Sequence, residues 1–109
     1  MGKLTLYAFN NEGIRVLVTA GFNERNQLEV EGYDIGRTVE RLTGKSDYEY
    51  SYTVDWGEVK KMAGLFGVDH EDQQVILNEI KRRFGGNSVY SALGNFMDEN
   101  HIEYKGFTW

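Results

Sequence analysis

The chain of 109 residues contains no cysteine and no proline, and its apolar runs are short. Without cysteine it forms neither a disulfide nor a thiolate metal site. No apolar stretch approaches the roughly 20 residues that a membrane-spanning helix needs, so we do not expect a membrane protein. Without proline, the turns depend on Gly, Asn and Asp, which tolerate the backbone conformations of tight turns.

Basic residues are fewer than acidic ones: 12 Lys and Arg against 17 Asp and Glu give a formal net charge of −5. This balance disfavours a nucleic-acid-binding module, because phosphate binding needs clustered cations. The N-terminal sequence lacks the apolar segment of about 7–15 residues that a secretory signal carries, so we expect a cytoplasmic protein. Seven Tyr, six Phe and two Trp argue against disorder, and the length predicts a single domain over residues 1–109.

The first half of the chain alternates polar and apolar residues with period two, which predicts β-strands. Three strands, at 3–9, 14–20 and 28–33, are joined by short turns and form an antiparallel meander, which a fourth strand follows at 47–54. The residues predicted to face the core are Leu4, Leu6, Ala8, Ile14, Val16, Val18, Ala20, Leu28 and Val30.

The predicted fourth strand carries Tyr48, Tyr50 and Tyr52 on one face. Aromatic residues at this spacing usually pack beneath helices, but the sequence leaves open which face they occupy. Residues 34–45, which precede this strand, fit either one or two helical turns or a packed loop. Their apolar residues have helical spacing, whereas Gly36 and Gly44 disfavour a helix.

Between residues 55 and 100 the apolar period becomes helical and predicts two or three helices. The first begins after an N-cap at Asp55 and ends at Gly67, and the second begins after an N-cap at Asp69. The third ends at about Asp98, and a last strand covers 102–109. We therefore expect an α+β fold: an antiparallel sheet of about five strands, four N-terminal and one C-terminal, with two or three helices packed on one face.

No residue pattern typical of catalysis, cofactor binding or metal binding stands out, so no residue is assigned to those roles and no cofactor is expected. Neither His70 nor His101 has a second histidine within four residues, and helix capping explains the acids around His70. No serine lies in a Gly-x-Ser-x-Gly motif, and the glycine-rich stretches lack the Lys of a phosphate-binding loop.

Acidic residues alternate with aromatic ones on two predicted strands. Glu29 and Glu31 share an outward face with Tyr33, and Asp47 and Glu49 share another. If the strands are neighbours, these acids line one surface. That surface has three interpretations: a solvated face, a binding face for a basic protein, or an acid–base pair, which would need a pocket that raises one pKa. We take all five residues as candidate partner contacts.

The stretches GYDIGRTVE (32–40) and SDYEYSYTV (46–54) look like those of small bacterial proteins. In size, charge and class, the whole chain resembles the immunity proteins of bacterial toxin systems, including contact-dependent inhibition. This resemblance implies a cytoplasmic protein that binds and blocks a cognate toxin domain, often a basic nuclease. Immunity proteins share no common motif, so the resemblance assigns no role to any residue.

The leading hypothesis is a non-enzymatic inhibitor that neutralises a basic protein partner, with no nucleic acid or membrane as partner. One alternative is a small hydrolase or isomerase that uses acids and His101 in a cleft between sheet and helices. Another is a structural or regulatory subunit of a larger assembly. The sequence leaves open whether the chain is a monomer or a dimer.

Overall fold

The computed structural model describes residues 3–11, 13–36 and 47–108. Within these ranges the chain forms an antiparallel sheet whose strands lie side by side in chain order. The strands are β1 (Leu4–Asn11), β2 (Ile14–Phe22), β3 (Leu28–Gly36), β4 (Asp47–Val54) and β5 (Lys105–Thr108). The helices are α1 (Trp56–Phe66), α2 (Gln73–Phe84) and α3 (Val89–Glu99). The predicted α+β fold is confirmed.

The structure describes only part of the segment 34–45, for which the sequence left both helical turns and a packed loop open. Residues 34–36 extend β3, and residues 37–45 lie outside the described ranges. The last strand was predicted over 102–109 but begins only at Lys105. Residues 102–104 precede the strand, and Ile102 is buried in the core. None of the described helices is both long and apolar enough to cross a membrane.

One face of the sheet packs against the helices and forms an entirely apolar core. No polar or charged side chain is buried there among the described residues. The alternation of β2 and β3 works as predicted, since Val18 and Ala20 pair with Gly32 and Val30 on the covered face. The fully buried apolar side chains contributed by the helices are Val59, Met62, Ala63, Ile76, Leu77, Ile80, Val89, Leu93 and Met97.

The predicted face of Ala8 is wrong, and a β-bulge explains why. The pairing of β1 with β2 shifts between Thr5 and Tyr7, which leaves Leu6 as the extra residue. After the bulge, Tyr7 pairs with Val18 on the covered side, and Ala8 becomes exposed on the other. A one-residue shift moves every later side chain to the opposite face.

The helix boundaries follow short-range capping, with one correction. Gly67 ends α1 in the left-handed conformation (φ 73°), as predicted. The N-cap of α2 is Asp72 rather than Asp69, because the Asp72 carboxylate accepts the backbone N–H of Val75 at 3.2 Å. Asp69 instead accepts the N–H of Glu71 at 2.9 Å and closes the turn before the helix.

The tyrosine stripe of β4 lies on the covered side, where two glycines make room for it. The Tyr50 ring lies over Gly32, so closely that a Cβ there would be 1.8 Å from Cε2 of the ring. The Tyr52 ring stacks on Tyr90 of α3 with centroids 4.0 Å apart, and its hydroxyl approaches Gly94. This face is therefore closed by α3.

Candidate functional site

The opposite side of the sheet, which we call the open face, carries no helix among the described residues. Strand register places its side chains in rows across β2, β3 and β4. Leu17, Tyr33 and Glu49 form one row, and Thr19, Glu31 and Ser51 form the next. Because paired residues on one face have Cβ atoms about 4.5–5.5 Å apart, neighbouring members of each row are within contact distance.

All of the candidate partner contacts lie on this open face. Glu29, Glu31 and Tyr33 project from β3, and Asp47 and Glu49 project from the adjacent β4. Tyr33 pairs directly with Glu49. The condition set by the sequence, that the two acidic strands be neighbours, is met.

The open face contains a shallow depression of about 640 Å³. Its lining includes Glu29, Glu31, Tyr33 and Glu49, together with Leu17. Asp47 is outside this lining, and its negative charge acts on the Tyr33 hydroxyl. The depression therefore brings three carboxylates, an aromatic ring and an aliphatic side chain to one place.

The carboxylates of this face differ in how they are neutralised. Lys3 donates to Glu31 with Nζ and Oε1 3.0 Å apart, and both side chains are about half exposed. Gly21 lets the Lys3 stem cross β2, because a Cβ there would lie 3.2 Å from Lys3 Cγ. Glu29 and Glu49 make no ion pair with any described residue.

The electrostatics of the acidic strands act on Tyr33. Partial burial and the nearby charges of Asp47 and Glu49 together raise the pKa of the Tyr33 hydroxyl above its usual 10.0. The hydroxyl is therefore protonated at neutral pH. The Tyr33 ring lies beside the carboxylates of Asp47 and Glu49, so a cation that binds there meets both the carboxylates and the electron-rich ring.

Exposed apolar side chains flank the carboxylates, and the sequence analysis did not single them out. Leu17 is 44% exposed on β2, and Phe107 is 58% exposed on β5 opposite Ser51. A second depression of about 510 Å³ adjoins the first and is lined by Ala8, Leu17 and Ile35 among others. The alternation of β2 already placed Leu17 on the polar face. An apolar residue on that face could have indicated a contact site from the sequence alone.

Basic residues at the margins limit how acidic the open face is. Arg15 pairs with Ile35 and lies on the same side of the sheet, and Lys105 pairs with Thr53 at the far edge. Among the described residues of this face, negative charge is therefore concentrated on β3 and β4, and positive charge lies on the flanking strands. Such an arrangement orients a partner as well as attracting it.

Comparisons with known proteins were made for the whole chain. No protein-family model, curated protein or solved structure matches it significantly. We therefore infer function from the residues of the open face and their geometry.

The histidines do not join this face or a cleft between sheet and helices. His101 is exposed in the turn after α3 with a left-handed backbone (φ 55°), and its carbonyl oxygen accepts a hydrogen bond from Lys61. His70 contacts Glu71 at 3.2 Å and lies edge-on to Trp56. No group of three or more potential metal ligands occurs among the described residues.

Proposed function

We propose that the chain is a non-enzymatic protein-binding inhibitor, an immunity protein that neutralises a bacterial toxin in the cytoplasm, and that the open face binds the toxin. The observation that carries this proposal is the placement of the candidate contacts on one surface that has a depression and that no described helix covers. A solvated face needs neither the depression nor the exposed Leu17 beside the carboxylates.

The proposed mechanism is electrostatic attraction followed by steric blockade. Glu29 and Glu49 attract Lys and Arg side chains of a basic toxin and raise the rate of encounter. Tyr33 then supplies affinity, because Tyr residues that lose their water at an interface are enriched among the strongest contacts. Leu17 gives the bound toxin an apolar contact in the same row as Tyr33. The sheet covers the toxin surface that it binds, so the toxin cannot reach its own substrate.

The proposal is tested by the rate at which the chain associates with its partner, once that protein has been identified by affinity capture from a lysate of the native host. We expect Glu29→Lys combined with Glu49→Lys to slow association by roughly tenfold at low salt and to flatten its salt dependence. Reversal at Glu29 with Glu31 gives the same direction, but it also releases Lys3 from its ion pair. Surface plasmon resonance over a salt series measures both effects.

The matched control is Glu24→Lys combined with Glu99→Lys. Both residues are exposed, one in the turn after β2 and one at the end of α3, and neither lies on the open face. The control changes net charge by the same amount, so its association rate reports the effect of charge alone. An equal loss in both variants, or no loss in either, contradicts a role for the open face.

A further inference from the structure

The two edges of the sheet differ in how they are protected from pairing with another strand. β5 is four residues long and carries Lys105, and a short strand with a Lys is a common protection against edge pairing. β1 is eight residues long, and its sequence, LTLYAFNN, has no charged residue and no proline. The other described strands all contain at least one charged residue.

The bulge at Leu6 disturbs only the first part of β1. From Tyr7 to Asn10 the strand pairs regularly with β2 and with no other described strand. An edge strand presents a row of backbone N–H and C=O groups that can pair with another chain. Phe9, 39% exposed, lies on this stretch beside the depression that Ala8 and Ile35 line.

We propose that the β1 edge is an interface between two copies of this chain, in which the two β1 strands pair in antiparallel fashion about a two-fold axis. In antiparallel pairing about a two-fold axis, residues close to the axis lie opposite or diagonal to their own copies, so a charge near the middle of the strand would lie beside a like charge. β1 avoids this repulsion because it is uncharged. A basic partner, in contrast, is attracted to β3 and β4 and finds no charge complement on β1.

The geometry of such a dimer follows from the axis. Antiparallel pairing in one continuous sheet puts the two-fold axis perpendicular to the sheet, so both open faces lie on the same side. Both helix layers lie on the other side, and Phe9 becomes covered in each copy. The dimer therefore leaves the open face accessible and does not depend on the function proposed for it.

Sedimentation velocity from micromolar to millimolar concentration tests the proposal, because a dimer dissociates on dilution. We expect a monomer–dimer equilibrium that Ala8→Lys weakens by about tenfold or more, since the two-fold axis brings two added charges together. Ala8 is exposed, so the variant is expected to fold. Leu65→Lys, at an exposed apolar residue of α1 (52% exposed), is the matched control and leaves the equilibrium unchanged.

Hydrogen exchange locates the interface independently of any substitution. Backbone amides between Tyr7 and Asn10 that point away from β2 exchange slowly at high concentration and quickly at low concentration if β1 pairs with itself. A monomer at every concentration overturns the proposal. So does a dimer that Leu65→Lys weakens equally, or one whose concentration-dependent protection lies outside β1.

Discussion

Substituting Gly32 by Ala tests how the tyrosine stripe is packed behind the open face. An added Cβ would lie 1.8 Å from Cε2 and 2.1 Å from Cζ of Tyr50. Non-bonded carbon atoms prefer about 3.5–4.0 Å, so the ring has to move by about 2 Å. That movement breaks the 2.8 Å hydrogen bond from the Tyr50 hydroxyl to Asp34 and disturbs the edge contact with Tyr90.

The expected loss of stability follows from these contacts. Overpacking a well-packed site costs about 1–3 kcal/mol, and losing a hydrogen bond to a charged group costs about 1.5–3 kcal/mol. Ala is less flexible than Gly in the unfolded chain, and its smaller loss of conformational entropy on folding offsets about 0.5–1 kcal/mol of this destabilisation. We expect Gly32→Ala to lower the free energy of unfolding by about 2–4 kcal/mol and the melting temperature by at least about 8 °C.

Urea unfolding followed by circular dichroism measures the change. The control is Gly64→Ala in α1, where an added Cβ meets nothing within 4 Å and the free energy of unfolding rises by about 0.5–1 kcal/mol. In a Tyr50→Ala background, the cost of Gly32→Ala disappears because the ring is absent. A Gly32→Ala protein within about 0.5 kcal/mol of the unmodified chain refutes the proposed packing.

Three further predictions address charge and capping. Hydrogen bonds from Arg82 and Arg83 hold the pKa of Glu79 at about 2, below its usual 4.5. The resulting stabilisation is complete above pH 4.5 and is lost as the pH falls towards 2, so Glu79→Gln should flatten the decline of melting temperature over that range. Asp47→Asn should lower the pKa of Tyr33 towards 10.0, as measured by an NMR titration of the labelled ring, and an unchanged pKa would contradict the effect of the Asp47 charge on Tyr33. Asp72→Ala should cost about 1 kcal/mol of stability in urea unfolding and Asp69→Ala less, because only Asp72 caps the helix; the reverse order would contradict that assignment.

Much of the open face could be predicted because strand periodicity reports directly on side-chain direction. Alternation in β3 fixes Glu29, Glu31 and Tyr33 on the side opposite Val30. The short turns between the first three strands also predict a meander of β1, β2 and β3, in which sequential strands are neighbours. The sequence left open whether the two acidic strands are neighbours, and the structure shows that β3 and β4 pair.

Other features depend on contacts between distant residues, which a single-sequence pattern does not contain. The bulge at Leu6 inverts the rest of β1, although the apolar alternation there continues without a break. From sequence alone, Gly32 is only a residue that weakens a strand. The structure shows why a glycine is needed there: the Tyr50 ring, 18 positions later in the chain, occupies the space that a Cβ would fill. Asp69 and Asp72 both fit an N-cap by composition, and the hydrogen bond from the Val75 N–H to the Asp72 carboxylate decides between them.

Affinity capture from a lysate of the native host tests the central claim most directly, with three baits: the unmodified chain, Glu29→Lys/Glu49→Lys, and Glu24→Lys/Glu99→Lys. Proteins are bound at low salt, eluted with a salt gradient and identified by mass spectrometry. We predict one basic protein, bound in equal stoichiometry beyond physiological salt by the unmodified chain and by the control, and lost from the open-face variant. Equal retention by all three baits, or no retained protein, would contradict the claim that the open face binds a basic protein.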